Sequence, residues 1–139
     1  MHSATTLQPI RIKRFDHIQM DVGNLEESIE FYSRVFGFEK KEAGMRTLTR
    51  WTIVGNDTGL FLCMHEYAEG VGQENEGLEI THFGLIVEDF ENVMDRLKAF
   101  GVELFYDDYV HYHSSRSVYF YDPNGYKLEI SEHDGGGIQ

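Results

Sequence analysis

Cysteine is almost missing from this chain: Cys63 stands alone, which rules out an internal disulfide and fits a reducing cytoplasm. Basic residues are also scarce. Twelve Lys and Arg face 24 Asp and Glu, and the formal net charge of −12 argues against a nucleic-acid backbone or an anionic membrane as partner. No stretch approaches the ~18 apolar residues of a membrane span, and the N-terminus shows no charged-then-apolar leader. These absences set the expectation of a soluble, cytoplasmic protein. What is plentiful is apolar and aromatic. Hydrophobic residues make up 41% and aromatics 14% of 139 residues, one domain's worth of chain with a sizeable core.

The chain repeats itself. Residues 17–39, HIQMDVGNLEESIEFYSRVFGFE, lie over residues 82–103, HFGLIVEDFENVMDRLKAFGVE, with the histidines 65 residues apart. Each copy opens with a His in a strand-like stretch, followed by Val22 or Val87 and then a helix-capping residue, Asn24 or Asp89. Apolar residues recur at helical spacing in both: Leu25, Ile29, Tyr32 and Phe36, then Phe90, Val93, Leu97 and Phe100. Gly37 and Gly101 close the helices where a left-handed residue is wanted. NDTGLFLCMHE (56–66) likewise lies over DPNGYKLEISE (122–132), and both read as hairpins after strands near Thr49–Val54 and Ser117–Tyr121. The expected organisation is module one at about 12–66, a Gly-rich linker at 67–79, and module two at about 80–132. Residues 1–10 and 134–139 read as tails.

Matched positions share an environment, so the polar residues among them carry information. His17 and His82 hold the same place in the two first strands, and Glu129 has Cys63 as its counterpart. Strand alternation turns His82 away from Phe83, Leu85 and Val87, and Glu129 away from Leu128 and Ile130. Two histidines and one carboxylate then face the concave side of the sheet. A lone carboxylate enclosed there is costly unless a cation or several donors meet it, so Glu129 reads as a metal ligand. Taken singly, each of the three would read as core or surface; together they read as a site.

These same stretches, with SVYFYDPNGYKLEI, resemble the vicinal oxygen chelate superfamily over roughly residues 12–132. That superfamily includes glyoxalase I, small antibiotic-resistance proteins, methylmalonyl-CoA epimerase and extradiol dioxygenases. The resemblance implies an α+β fold of two βαβββ modules forming a cupped, mostly antiparallel sheet. It places His17, His82 and Glu129 at the three positions that ligate one divalent metal ion, Mn, Fe, Ni or Zn. Three protein ligands leave coordination positions for substrate oxygens. The activity implied is glyoxalase-like lyase or isomerase chemistry on a small oxygen-rich substrate.

Other branches imply other outcomes. Glyoxalase I-like enzymes carry a fourth, carboxylate ligand where this chain has Cys63, with His65 two residues on. Fosfomycin-modifying members resemble the chain around LFLCMHE and YFYDPNGYKLE. They carry a Ser/Gly-rich potassium loop and basic residues where this chain has DDYVHYHSSRS. HYHSSRSVYFYDPNGYKLE also resembles the pattern of Fe(II) extradiol ring-cleaving dioxygenases, which makes His111 an acid/base and Tyr119 a donor to substrate oxygen. His113 sits slightly too close to serve in that pattern. A further alternative is a non-catalytic drug or metabolite binding protein with a cup lined by Trp51, Phe61, Tyr109, Tyr112 and Tyr119. Short two-module members typically form a homodimer that exchanges modules. His17 would then come from one subunit and His82 with Glu129 from its partner.

Overall fold

The computed structural model describes residues 7–9, 11, 15–67, 81–112 and 114–133. The expected tails 1–10 and 134–139, the linker beyond Tyr67, and His113 fall largely or wholly outside the described residues. Module one runs β1 (Ile18–Val22), α1 (Leu25–Phe36), β2 (Glu39–Arg46), β3 (Thr49–Gly55) and β4 (Phe61–Glu66). Module two repeats the order with β5 (Phe83–Ile86), α2 (Val93–Ala99), β6 (Val110–His111), β7 (Arg116–Tyr121) and β8 (Lys127–Ser131). The two βαβββ modules are as the repeat predicts, and the fold is α+β.

Each module has its own four-stranded sheet, ordered β1-β4-β3-β2 and β5-β8-β7-β6. In each, one pairing is parallel, β1 with β4 and β5 with β8, and two are antiparallel. No strand pairing among the described residues joins the two sheets.

Local chemistry accounts for the shared plan. Asn24 is extended (φ −139°), and its Oδ1 accepts from the Glu27 N–H at 2.9 Å, starting α1 as the cap predicted. Gly37 ends that helix at φ +71°, and Gly101 follows α2 at φ +84°. The hairpin turns match atom for atom. Asn56 Oδ1 accepts from the N–H groups of Thr58 and Leu60, and Asp122 Oδ1 from those of Asn124 and Tyr126. Gly59 and Gly125 supply the positive φ that both turns need.

Two expectations need correction. Asp89 does not cap α2: its Oδ1 accepts from the Glu91 N–H, and α2 begins later, after Asn92 at φ +54°. The Arg96 guanidinium donates to the carbonyls of Asp89 and Glu91, and these bonds hold the segment as a turn. His17 and His82 stand one residue before their strands rather than within them.

One apolar cluster serves both modules. It gathers Met20 and Val22 of β1, Leu62 and Met64 of β4, Val118 and Phe120 of β7, and Leu128 and Ile130 of β8 around the two helices. The β7–β8 turn also plugs onto module one. Tyr32 Oη donates to Asp122 Oδ2 at 2.8 Å, Asn124 Nδ2 to Ser28 Oγ at 2.9 Å, and the Gly23 N–H to Asn124 Oδ1 at 3.1 Å. Tyr126 Oη accepts from the Asp21 N–H and donates to its carbonyl. The helix-side faces of both sheets are thus buried together. The opposite faces, which carry the histidines, turn away from that shared core.

Candidate metal centre

Register brings the module-two residues together. Gly84 of β5 lies opposite Glu129 of β8, and β7 sets Tyr119 opposite Glu129 and Ser117 opposite Ser131. Paired residues share a face, so Glu129, Ser131, Ser117 and Tyr119 all point to the side away from the shared core. His82, just before β5, reaches the same place. Its Nε2 lies 3.0 Å from Glu129 Oε1, and its Nδ1 lies 3.0 Å from Thr81 Oγ1. Against a carboxylate, Nε2 carries the proton and donates, which leaves Nδ1 to accept from the Thr81 hydroxyl.

Glu129 is held from its other side. Ser117 Oγ donates to Oε2 at 2.6 Å and Ser131 Oγ at 3.1 Å, with the two hydroxyls 3.1 Å apart. Ser117 is fully buried and Ser131 nearly so. Burial pushes the Glu129 carboxyl up, but hydrogen bonds from Ser117, Ser131, Tyr119 and His82 outweigh it and hold the group below its ordinary value. It is therefore a carboxylate at neutral pH. Tyr119, buried and hydroxyl-bonded to Tyr112, is shifted the opposite way by burial, by that bond and by the charge of Glu129, and it stays a protonated donor.

Module one presents the matching face with different chemistry. His17 is half-exposed, and its Nδ1 meets Asp16 Oδ2 at 2.6 Å, a contact that orients the ring. A concavity of about 450 Å³ is lined by His17, Asp16, Lys41, Glu42, Ile53, Phe61 and Cys63. Burial pushes the Cys63 thiol up, so it stays neutral, and its Sγ lies 3.4 Å from Nε2 of the buried His65. The structure thus pairs His82 with Glu129 but leaves His17 on the other module. Among the described residues no group of three His, Cys, Asp or Glu side chains is placed to hold one ion.

The donor chemistry nevertheless fits a metal. Two donors each about 2.1 Å from a common ion, at octahedral to tetrahedral angles, stand about 3.0–3.4 Å apart. The His82–Glu129 spacing of 3.0 Å lies in that range. An ion bound there would take the place of the proton between His82 Nε2 and Glu129 Oε1, with one nitrogen and one oxygen donor.

The remaining candidates are scattered. His111 is exposed on β6, paired with Arg116, on the face opposite Glu129 and Tyr119. Tyr109 packs on Phe90 beneath the Arg116 guanidinium rather than in a cup. Phe61 lines the module-one concavity, and Trp51 lies against Gly44 on the neighbouring strand. Strand alternation puts Ser131 on the face of Glu129, but sequence reasoning gives neither it nor Ser117 a role, although each lies two residues from a site residue on its strand and so shares its face.

The comparisons with known proteins agree with this fold. The model of the Glyoxalase/Bleomycin resistance protein/Dioxygenase superfamily matches residues 14–130. A trivalent organoarsenical cleaving enzyme of Bacillus sp. (strain MD1) is 30% identical over 126 residues, covering 84% of this chain and 71% of that protein. The lactoylglutathione lyase GLX1 of Arabidopsis thaliana is 27% identical over 123 residues, covering 85% of this chain, which spans only 44% of that relative's length. Among solved structures, the fosfomycin resistance protein FosX of Listeria monocytogenes, complexed with Mn(II) and sulfate, superposes with a TM-score of 0.66. That match is 22% identical and covers 90% of this chain and 96% of that one.

Proposed function

The chain belongs to the Glyoxalase/Bleomycin resistance protein/Dioxygenase superfamily, and from that membership we propose a divalent-metal-dependent enzyme acting on a small oxygen-rich substrate by lyase or isomerase chemistry. Its working unit is a homodimer whose sites lie between chains. The observation that carries this reading is the His82–Glu129 pair on one outward face, with the repeat-related His17 on the outward face of the other module.

Each chain's own residues have defined tasks. His82 Nε2, giving up the proton it shares with Glu129, and Glu129 Oε1 would hold the ion together with His17 of the partner subunit. A bound divalent ion supplies Lewis acidity to substrate oxygens. Ser117 and Ser131 keep Glu129 Oε2 engaged, so that Oε1 faces His82. The Tyr119 hydroxyl, kept protonated and fixed by Tyr112, would exchange its bond to Glu129 for one to a substrate oxygen. His111, on the opposite face, has no part in this reading.

The test mixes two defective chains. His17→Ala and Glu129→Ala proteins are each expected to lose Mn²⁺ binding. After subunit exchange, half the dimers are mixed and each holds one intact site, so about a quarter of wild-type metal content returns. No recovery after verified exchange excludes the shared site. Wild-type metal content in both single variants excludes the ligands themselves. A protein that purifies metal-free and loses nothing to a chelator is a binding protein instead.

A further inference from the structure

A shelf of aromatic rings extends from the His82–Glu129 pair along the same face of module two. Tyr119 meets His82 edge-on, with ring centroids 5.8 Å apart. Tyr106 stands edge-on to Tyr119 at 6.1 Å, and Phe105 packs on Tyr121 at 4.5 Å. Tyr121 lies opposite Lys127 across the β7–β8 pairing. Lys127 precedes Glu129 by two residues and so shares its face. Its Nζ lies over the Tyr119 and Phe105 rings at 5.0 and 5.2 Å.

Two properties of this shelf are not explained by folding. First, the rings are clustered yet wet: Tyr106 is 53% exposed and Tyr121 57%. Contiguous exposed apolar surface marks a place where something binds, whereas isolated exposed residues do not. Second, Lys127 takes part in no ion pair among the described residues. Ion pairs among the described residues engage Arg34, Lys41, Arg50, Arg96 and Arg116, and none reaches Lys127. This holds in a chain with twice as many acids as bases. Its ammonium rests on ring faces, which attract a cation but accept none of its three N–H donors as an oxygen would. The shelf therefore offers one cation over a floor of rings, on the face that also carries the Glu129 carboxylate.

We propose that this shelf binds a planar aromatic ligand bearing an oxyanion, a carboxylate or a phosphonate. The ligand ring lies against Tyr106, Phe105 and Tyr121, and its oxyanion meets Lys127. The inference deepens the proposed function by naming a substrate class, and rests on it only in calling the ligand a substrate; the binding itself requires no metal. An anion here would also offset the juxtaposition of Lys127 with a divalent ion at His82 and Glu129.

The experiment titrates metal-free protein with benzoate, phenylphosphonate, acetate and benzyl alcohol, followed by calorimetry and by the NMR signals of the Tyr and Phe rings. The two probes that join ring and oxyanion should bind at least tenfold more tightly than acetate or benzyl alcohol, and their relative order identifies the oxyanion. Lys127→Met should weaken benzoate roughly tenfold, the scale of one charge-assisted hydrogen bond, and leave benzyl alcohol unchanged. Lys127→Arg should restore it. Tyr106→Leu, at an exposed position, should weaken benzoate and spare acetate; circular dichroism verifies that each variant folds. Benzoate binding no better than acetate, or unaffected by Lys127→Met in folded protein, overturns the proposal. So does a shelf covered by a second copy, seen as rings that no probe perturbs. Metal content is measured in parallel. Benzoate binding without Mn²⁺ binding sinks the metal reading alone, and Mn²⁺ binding without benzoate selectivity sinks the shelf alone.

Discussion

Replacing Ser117 by alanine removes the shorter of the two hydroxyl donors to Glu129, the 2.6 Å bond to Oε2. A hydrogen bond to a charged acceptor contributes about 1.5–3 kcal/mol. Ser131 Oγ remains within 3.1 Å and takes up part of the load, so the lower end applies. A cost of about 1.5 kcal/mol lowers Tm by about 5 °C in a chain of this size. The cost depends on pH because Glu129 is held below its ordinary value of 4.5 despite burial. A carboxylate lowered on folding contributes stability that is fully present above its ordinary pKa and is lost as pH falls through the folded value. The variant's deficit in metal-free protein should therefore be full at pH 7 and shrink at an acid pH below the lowered folded value, where the carboxyl takes up its proton. Thermal unfolding monitored by circular dichroism at both pH values measures it. Mn²⁺ affinity, read by calorimetry, should fall about tenfold, as with other groups that orient a ligand. Ser117→Thr keeps the hydroxyl and should recover both. A Tm deficit that is equal at the two pH values, or absent at pH 7, refutes this account of the carboxylate.

Tyr32→Phe removes the buried hydroxyl that donates to Asp122 and should cost about 1–2 kcal/mol in urea unfolding. Asp122→Ala should cost at least about 3 kcal/mol, because it strands that hydroxyl and the turn N–H groups of Asn124 and Tyr126; equal costs would refute the latch between modules. Gly37→Ala should lower stability by about 1–2 kcal/mol through its left-handed backbone alone, since a Cβ there meets nothing within 4 Å. Gly23→Ala, equally uncrowded but without a positive φ, is the control, and a similar loss there would show that strain is not the cause.

Local features were the readable ones. Capping at Asn24, the left-handed glycines at 37 and 101, and the two Asx-stabilised hairpins each depend on a few neighbouring residues, and each formed where the pattern placed it. Strand alternation likewise put His82 and Glu129 on one face, because a period of two leaves no other choice once Leu128 and Ile130 are buried. Helix α2 was misjudged at its start, since Asp89 satisfies a turn N–H before any helical residue and nothing local distinguishes the two uses. The DPNG turn reads in the sequence as a hairpin turn and nothing more. Its Asp122 and Asn124 prove to hold α1 across 90 and 96 residues of sequence, to Tyr32 and Ser28, and no local pattern announces a partner that distant. His111 is a related case: motif spacing does not say which face of an edge strand a residue takes, and the register sets it beside Arg116 on the face opposite Glu129.

The duplication also explains why the proposed site needs unlike modules. Gln19 lies opposite Cys63 in module one where Gly84 lies opposite Glu129 in module two. A Cβ on Gly84 would sit 4.0 Å from Glu129 Oε1, so the bare backbone there leaves the carboxylate approachable. In module one the position is filled by Gln19, and Cys63 carries a neutral thiol in place of the carboxylate. Two first modules facing each other would offer two histidines and, at the position of Glu129, only the neutral Cys63 thiols. Two second modules would set a pair of Glu129 carboxylates against one another, and like charges at close range resist joint ionisation. Only an unlike pair supplies two imidazoles and the one Glu129 carboxylate. Within one chain the unlike modules already spend their contact on the shared core, with the β7–β8 turn locked onto α1 and both histidine faces turned outward. On the proposed reading, completing the three ligands therefore takes a second copy, and two-fold symmetry then yields two equivalent sites in which neither chain can hold the ion alone.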